Sequence, residues 1–222
     1  MEHPDFCSLP KLEDYFRFVN QNIDKQSNRI LRKKFENVLS IEQFFDYFAE
    51  LQVAHFLFNH IHPQSTVEFI KEEDNRRTPD IRINIKSKNV SVCVEVTSMS
   101  SELSRNDQLK KEKLSQNQGE MTDVTHFNKN GFYGLIDKLR GKKSQFRNCK
   151  ADYKIFAVVS SKWSINSSYF EYTDIYRDIK SDFQSCVDGI LFFGCRGETK
   201  LFSFNPNLKS FIGNVEYYEN EN

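Results

Sequence analysis

Residues 80 to 95 read Asp-Ile-Arg-Ile-Asn-Ile-Lys-Ser-Lys-Asn-Val-Ser-Val-Cys-Val-Glu, and this stretch decides the fold. Apolar residues alternate with polar residues in both halves, which is the period of a β-strand with one buried face. A turn centred on Ser87 and Lys88, with either two or four loop residues, places all six apolar side chains on the same face. A slip by one residue would separate them, so the pattern fixes the register of a β-hairpin. The six residues are Ile81, Ile83, Ile85, Val90, Val92 and Val94.

The same register sets Asp80 directly opposite Glu95. Directly opposed residues have Cβ atoms about 4.5 to 5.5 Å apart, and like charges at that separation destabilise a sheet. A divalent cation offsets the repulsion and takes oxygen ligands from carboxylates and carbonyls, whereas a shared proton would raise one pKa. A solvated surface pair near the strand ends is the alternative. Pro79 suits the entry to a strand, and a metal site is the leading hypothesis.

A third carboxylate lies on the helix predicted for residues 41 to 61. This helix is apolar nearly all round in its second half, which indicates a buried helix. Glu50 belongs to that half, and its helical neighbours are the apolar residues Val53, Ala54 and Leu57. Carboxylates are almost never fully buried unless they are paired. Glu50 is therefore a third candidate ligand.

These residues resemble the PD-(D/E)xK nuclease superfamily, which has the restriction-endonuclease-like fold. The resemblance runs from Ala-Glu50-Leu-Gln-Val-Ala through Thr-Pro79-Asp80-Ile to Val-Cys-Val-Glu95-Val-Thr, and it covers roughly residues 41 to 160. It implies an α/β fold with a three-layer core, in which helices flank a mixed central sheet. It also implies that Glu50, Asp80 and Glu95 bind Mg²⁺ beside the scissile phosphate, with the carbonyl oxygen of Val96 as a further ligand.

The chain departs from the family pattern at Thr97, where the family usually has a lysine two residues after the glutamate. Some members supply this lysine from the following helix. Residues 132 to 146 predict such a helix, and a lysine beside its apolar stripe can bury its stem and reach inward. The spacing Lys142-x-x-Gln145 resembles branches that have lost the strand lysine. Lys142 is the first choice for the relocated amine and Lys143 the second, while a solvated basic face is the alternative.

The function expected from this site is Mg²⁺-dependent endonuclease activity that hydrolyses phosphodiester bonds, with DNA as the preferred substrate. Carboxylates and carbonyls suit Mg²⁺, or Mn²⁺ as the alternative, rather than zinc. The sequence contains no Gly-rich phosphate loop and no HExxH motif, which argues against ATP hydrolysis and zinc proteolysis. The alternative is a non-catalytic descendant of the fold that binds nucleic acid or a protein partner. Thr97 and the neutral overall charge motivate that alternative.

The charge of the chain gives no overall attraction to nucleic acid. Thirty-one basic and thirty-one acidic residues cancel among the 222 residues, so any DNA-binding face must be local. Arg76 and Arg77 are the first candidates because they lie beside Asp80 in the sequence. The other candidates are Arg82, Lys86, Lys88, Lys138, Arg140 and Arg147.

The expected organisation is a helical N-terminal extension, residues 1–40, followed by a restriction-endonuclease-like nuclease domain, residues 41–222, as the resemblance implies. Residues 100 to 130 are polar and indicate an exposed helix or a loop that covers the site. Helices are predicted near 11 to 38, 41 to 61, 132 to 146 and 168 to 182, and strands near 66 to 71, 80 to 86, 90 to 97, 153 to 160, 187 to 193 and 200 to 204.

The five cysteines form no CxxC pair, and no apolar stretch has the length of a signal peptide or a membrane span. These features predict a cytoplasmic protein with reduced cysteines and no membrane partner. Many enzymes of this fold work as homodimers, but the sequence shows no dimer surface, so the oligomeric state is left open.

Overall fold

A computed structural model describes residues 9–61, 65–70, 78–99, 134–160, 173–194, 199–212 and 215–218. In these ranges the chain forms one mixed β-sheet of seven strands with helices packed against it. The protein therefore has an α/β fold, as the sequence predicts.

Five helices belong to the described part of the chain. Asp24 begins the second helix by accepting hydrogen bonds from the backbone N–H groups of Gln26 and Ser27, so the region predicted as helical near 11 to 38 is divided in two. Ser40 caps the third helix in the same way. The helices are α1 (Leu9–Asn22), α2 (Lys25–Glu36), α3 (Ile41–His60), α4 (134–142, which continues as a 3-10 turn over Lys143–Phe146) and α5 (Thr173–Phe183).

Seven strands lie side by side in the order of the sequence: β1 (Ser65–Phe69), β2 (Ile81–Ile85), β3 (Val90–Ser98), β4 (Tyr153–Val159), β5 (Gly189–Phe193), β6 (Thr199–Ser203) and β7 (Glu216–Tyr218). The central strands β3, β4 and β5 are parallel, the pairs β1–β2, β2–β3 and β5–β6 are antiparallel, and β7 runs parallel to β6. The short strand β7 was not predicted from the sequence.

The hairpin of β2 and β3 has the register that the apolar pattern predicts. The three apolar pairs are Ile81 with Val94, Ile83 with Val92, and Ile85 with Val90. The loop has four residues, from Lys86 to Asn89, and Asn89 has a positive φ of 50°. Asparagine is one of the few non-glycine residues that adopts this left-handed conformation routinely. The predicted register is confirmed.

Each face of the sheet has its own hydrophobic cluster. Val94 faces the cluster formed with α1, α2 and α3, whereas Cys93 faces the cluster formed with α4 and α5. Val19 of α1 and Leu31 of α2 are buried in the first cluster together with α3 and the sheet. The division at residue 40 stays a prediction, but these two helices share a core with the residues that follow it.

Cys93 and Cys149 form a disulfide bond, so the prediction that all cysteines are reduced is wrong for this pair. The two residues are 56 positions apart, and no local spacing motif marks them. They meet because Cys93 points from β3 toward the segment that follows α4. Cys186 has a free thiol, and Cys7 and Cys195 lie outside the described residues.

Within the described ranges, every helix is too short or too polar to cross a membrane.

Candidate functional site

The candidate site lies where the β2–β3 hairpin begins. Pairing of β2 with β3 starts at Ile81 and Val94, and Asp80 immediately precedes it. The side-chain oxygen Oδ2 of Asp80 accepts a hydrogen bond of 2.7 Å from the backbone N–H of Val96. The Asp80 carboxylate therefore replaces the main chain as the partner of β3 at this point, and its orientation is fixed beside Glu95.

Glu95 is a buried carboxylate with one oxygen paired and the other unpaired. Its Oε1 accepts a hydrogen bond of 2.6 Å from Nζ of Lys142. Its Oε2 is buried and has no hydrogen-bond partner in the described part of the chain. Burial raises the pKa of Glu95 to about 8, and the negative charge of Asp80 acts in the same direction, while Lys142 opposes both. A buried oxygen without a partner is the kind of atom that a bound cation would satisfy.

Lys142 is the predicted relocated lysine that reaches the carboxylates. Its Nζ donates to Oε1 of Glu95 and to the carbonyl oxygen of Val96, at 2.6 Å in both cases. Burial lowers the pKa of Lys142, but the charges of Glu95 and Asp80 outweigh this and raise it above its usual value. Lys142 is therefore held as a cation next to Glu95.

Lys143, the second choice, points elsewhere. Its Nζ donates to the carbonyl oxygen of Asp182 at 2.5 Å and lies 4.7 Å from the ring centroid of Phe183. Neighbouring residues on a helix point about 100° apart, since each turn has about 3.6 residues. The structure therefore places Lys142 in the site and Lys143 outside it, whereas the sequence could only order them as first and second choice.

Glu50 is paired with a residue that sequence reasoning missed. Both of its carboxylate oxygens accept hydrogen bonds from Nζ of Lys34, at 2.8 and 2.6 Å. The same Nζ lies 3.9 Å from Oδ1 of Asp80. Burial raises the pKa of Glu50 to about 8, Asp80 adds to the effect, and Lys34 opposes it. Glu50 and Asp80 therefore share one ammonium group.

A sequence signal for Lys34 was present on α2. Ser27, Leu31 and Lys34 follow the spacing of one helical face. Leu31 is buried in the core, and the hydroxyl of Ser27 accepts a hydrogen bond from the backbone N–H of Phe69 on β1. Lys34 extends the face that α2 presents to the core. A lysine on an otherwise buried helical face would have marked it as a site residue.

The polar side chains of the site differ in their access to solvent. Lys142 is 27% exposed, Lys34 14% and Asp80 13%, whereas Glu50 is 7% exposed and Glu95 2%. A ligand that arrives from solvent therefore meets two ammonium groups and Asp80 before it meets the two glutamates. Ammonium groups at the entrance favour an anionic ligand such as a phosphate group.

The donor atoms fit a hard cation, although ammonium groups now contact them. Three carboxylates and the carbonyl oxygen of Val96 are the ligands that Mg²⁺ prefers. Across the described ranges, no group of three or more His, Cys, Asp or Glu side chains is arranged to hold a metal ion. Lys34 contacts Glu50, and Lys142 contacts Glu95 and Val96. The oxygen donors of the site therefore suit Mg²⁺, and the ammonium groups of Lys34 and Lys142 lie in contact with these oxygens.

Comparisons with protein-family models, with curated proteins and with solved structures found no match in any of the three. The assignment of a function to this chain therefore depends on the geometry of the site.

A second layer of polar contacts lies one helical turn outward from the carboxylates. Asp46 precedes Glu50 by four residues on α3 and accepts a short hydrogen bond from the hydroxyl of Ser98. Lys138 precedes Lys142 by four residues on α4 and donates to the carbonyl oxygen of Ser98 at 3.0 Å. We call Asp46, Ser98 and Lys138 the outer layer. It extends the polar surface of the site beyond the end of β3.

Other basic residues that the sequence singled out have different partners. Lys88 lies in the hairpin loop, at the opposite end of β2 from Asp80, and donates to the carbonyl oxygen of Ser210. Arg140 forms ion pairs with Asp137 and Asp182 on the surface. Lys138, by contrast, belongs to the outer layer, where it donates to the carbonyl oxygen of Ser98. Arg76, Arg77 and the predicted covering segment 100–130 lie outside the described residues.

Proposed function

We propose that this protein is a metal-dependent nuclease of the PD-(D/E)xK type that hydrolyses phosphodiester bonds, with DNA as the preferred substrate. The proposal includes the restriction-endonuclease-like fold, Mg²⁺ as the metal and Mn²⁺ as its alternative. One observation supports it most strongly. A lysine from the helix that follows β3 donates to the strand glutamate Glu95, in a chain where Thr97 stands at the usual lysine position.

The arrangement of the elements agrees with this fold. The antiparallel hairpin β2–β3 is followed by α4 and then by β4, which pairs with β3 in parallel. Helices cover both faces of the mixed sheet. This is the order of elements that brings residues from α3, the hairpin and α4 to one end of β3.

Each residue of the site has a defined role in the proposed reaction. Glu50, Asp80, Glu95 and the carbonyl oxygen of Val96 would hold the metal. When bound, Mg²⁺ would neutralise charge on the phosphoryl oxygens and supply an activated water. Asp80 is oriented by the Val96 N–H, and Glu95 lies in a water-poor environment where electrostatic interactions are stronger. Lys142 would orient the water and stabilise the negative charge that develops on phosphorus-bound oxygen.

The proposed nucleic-acid contact is local, because the net charge of the chain is zero. Lys34 and Lys142 at the entrance and Lys138 in the outer layer place three cations around the carboxylates. Cations in such a group suit contact with a phosphate backbone. A homodimer stays a prediction.

A cytoplasmic location stays the prediction for the compartment. Disulfides are rare in the cytosol of most organisms, whereas Cys93 and Cys149 are bonded in this structure. Counting free thiols on protein taken directly from cells tests the location.

The non-catalytic alternative has one observation in its favour. Lys34 and Lys142 already pair with Glu50 and Glu95, so two of the three carboxyl groups have a cationic partner without any metal. This alternative predicts that the protein shows no saturable Mg²⁺ binding in the millimolar range. A saturable calorimetric titration that is lost in Asp80→Asn would rule it out.

Cleavage of labelled DNA and RNA substrates in Mg²⁺ or Mn²⁺ tests the nuclease directly. We expect cleavage by the native protein and loss of cleavage in Asp80→Ala and Lys142→Ala. Lys143→Ala is the matched control, since Lys143 contacts Asp182 and Phe183 instead of the site. Full activity in Asp80→Ala, with folding unchanged by circular dichroism, would remove the proposal.

A further inference from the structure

Lys34 lies between two of the proposed metal ligands. Its Nζ is 2.6 and 2.8 Å from the oxygens of Glu50 and 3.9 Å from Oδ1 of Asp80. A cation that binds both carboxylates at once has to occupy this same region. The ammonium group and a metal ion held by Glu50 and Asp80 therefore exclude one another.

The tip of Lys34 can move while its helix stays in place. The Ser27–Phe69 hydrogen bond and the fully buried side chain of Leu31 fix α2 against the sheet. The lysine side chain itself is a flexible four-carbon stem, and 14% of it is exposed. Its Nζ also lies 5.4 Å from the ring centroid of Tyr47, which offers a cation–π contact outside the carboxylate pair.

The charges around the site favour such an exchange. When all three carboxyl groups are ionised, their charge exceeds that of the two ammonium groups beside them, which leaves an excess of negative charge among Glu50, Asp80 and Glu95. A divalent cation has twice the charge of the ammonium group it would displace and therefore interacts more strongly with the carboxylates. Once displaced toward solvent, the ammonium group of Lys34 would face an arriving phosphate.

We propose that Lys34 exchanges partners: it occupies the space between Glu50 and Asp80 in the metal-free protein, and it binds a substrate phosphate once a divalent cation takes that space. This inference rests on the proposed metal-dependent function. It makes Lys34 both a competitor of the metal and a phosphate-binding residue. Metal and substrate then strengthen each other's binding, because each favours the displaced position of Lys34.

Calorimetric titration with Mg²⁺ tests the competition without any need for activity. The variants are Lys34→Met and, as the matched control, Lys33→Met, which removes the same charge from an exposed position on the same helix. Measured at about pH 8.5, where the raised pKa values of the two glutamates no longer favour protonation, the Mg²⁺ affinity of Lys34→Met should rise by about tenfold. The affinity of Lys33→Met should match that of the native protein.

The phosphate contact is tested on the same variants at saturating Mg²⁺. For Lys34→Met, the KM for a cleaved DNA substrate should rise by about tenfold with a smaller change in kcat, which indicates a lost substrate contact. Lys33→Met should leave both constants unchanged.

The outcomes separate the two proposals. Tighter Mg²⁺ binding together with a raised KM in Lys34→Met supports the exchange. Native-like or weaker Mg²⁺ binding in Lys34→Met, with saturable binding by the native protein, overturns the exchange and leaves the metal-dependent function intact. If neither protein binds Mg²⁺, the metal-dependent function itself is wrong, and the inference falls with it.

Discussion

Nζ of Lys142 lies 2.6 Å from Oε1 of Glu95, although the two residues are 47 positions apart in the sequence. The lysine comes from a helix and the glutamate from a central strand, so the pair exists only because α4 packs on the face of β3 from which Glu95 projects.

Replacing Lys142 by methionine should lower the rate of DNA cleavage by about a hundredfold or more, the typical cost of removing one charge-stabilising group from an active site. Methionine keeps much of the length of the side chain but removes the ammonium group. Single-turnover cleavage at saturating Mg²⁺ measures the effect. Lys143→Met serves as the control and should cleave at the native rate. Equal losses in both variants would show that Lys142 has no special role.

A lysine at position 97 should partly restore activity to the Lys142→Met variant. Thr97 lies on the same strand two residues after Glu95, is buried, and its hydroxyl has no hydrogen-bond partner in the described ranges. We expect the Thr97→Lys/Lys142→Met double variant to cleave about tenfold faster than Lys142→Met alone, since proximity of the ammonium group determines its effect. The control is Thr97→Val on the Lys142→Met background. An equal gain in cleavage rate for that variant would show that packing at position 97, and not the ammonium group, causes the gain.

The stability of the metal-free protein should fall as the pH rises from about 5 to about 8. Burial raises the pKa of Glu50 and of Glu95 to about 8, so the folded state binds more protons than the unfolded state in this window. The stabilisation is complete below the unfolded pKa and is lost as the pH rises through the folded pKa. Urea unfolding in a chelator should show a decrease of several kcal/mol, because each group contributes about 1.4 kcal/mol for each unit by which its pKa is raised.

Glu95→Gln should make this pH profile less steep, since glutamine does not titrate whereas Glu50 still does. His55 has the opposite effect on the pH profile, because burial lowers its pKa and favours the folded state at higher pH. His55 is present in both the native protein and Glu95→Gln, so its contribution cancels when the two profiles are compared. An unfolding free energy that stays constant or rises between pH 5 and 8 would contradict the assignment of raised pKa values to the two glutamates.

Two glycines should respond to alanine in opposite directions. A Cβ atom at Gly189 on β5 would lie 2.8 Å from the carbonyl oxygen of Phe202, so Gly189→Ala should lower the unfolding free energy by roughly 1 to 3 kcal/mol. A Cβ atom at Gly141, inside α4, meets nothing within 4 Å, so Gly141→Ala should raise it by about 0.5 to 1 kcal/mol. Thermal unfolding measures both. Destabilisation of both variants to the same extent would contradict the packing around β5.

The parts of the site that the sequence could predict depend on local periodicity. Alternation of apolar residues fixed the β2–β3 register and hence the approach of Asp80 to Glu95. The helical spacing around Lys142 indicated that its stem lies near the core. Both patterns involve residues a few positions apart, and both elements form as predicted.

The parts that the sequence did not reveal depend on long-range packing. The spacing of Ser27, Leu31 and Lys34 marks one face of α2, but no pattern in residues 25 to 36 shows that this face packs beside α3 and β1, which is what brings Lys34 to Glu50. The outer layer joins α3, β3 and α4 through Asp46, Ser98 and Lys138 for the same reason. Cys93 and Cys149 similarly become neighbours through the packing of the segment after α4 against β3.

The Cys93–Cys149 bond closes a covalent ring that contains both Glu95 and Lys142. A single proteolytic cut in the main chain anywhere between the two cysteines would open the ring without separating the polypeptide into two molecules. The fragments would migrate as one species on a non-reducing gel and as two after reduction. The strand that bears the glutamate and the helix that bears the lysine would thus stay tethered after nicking, and only reduction of the disulfide would release one from the other.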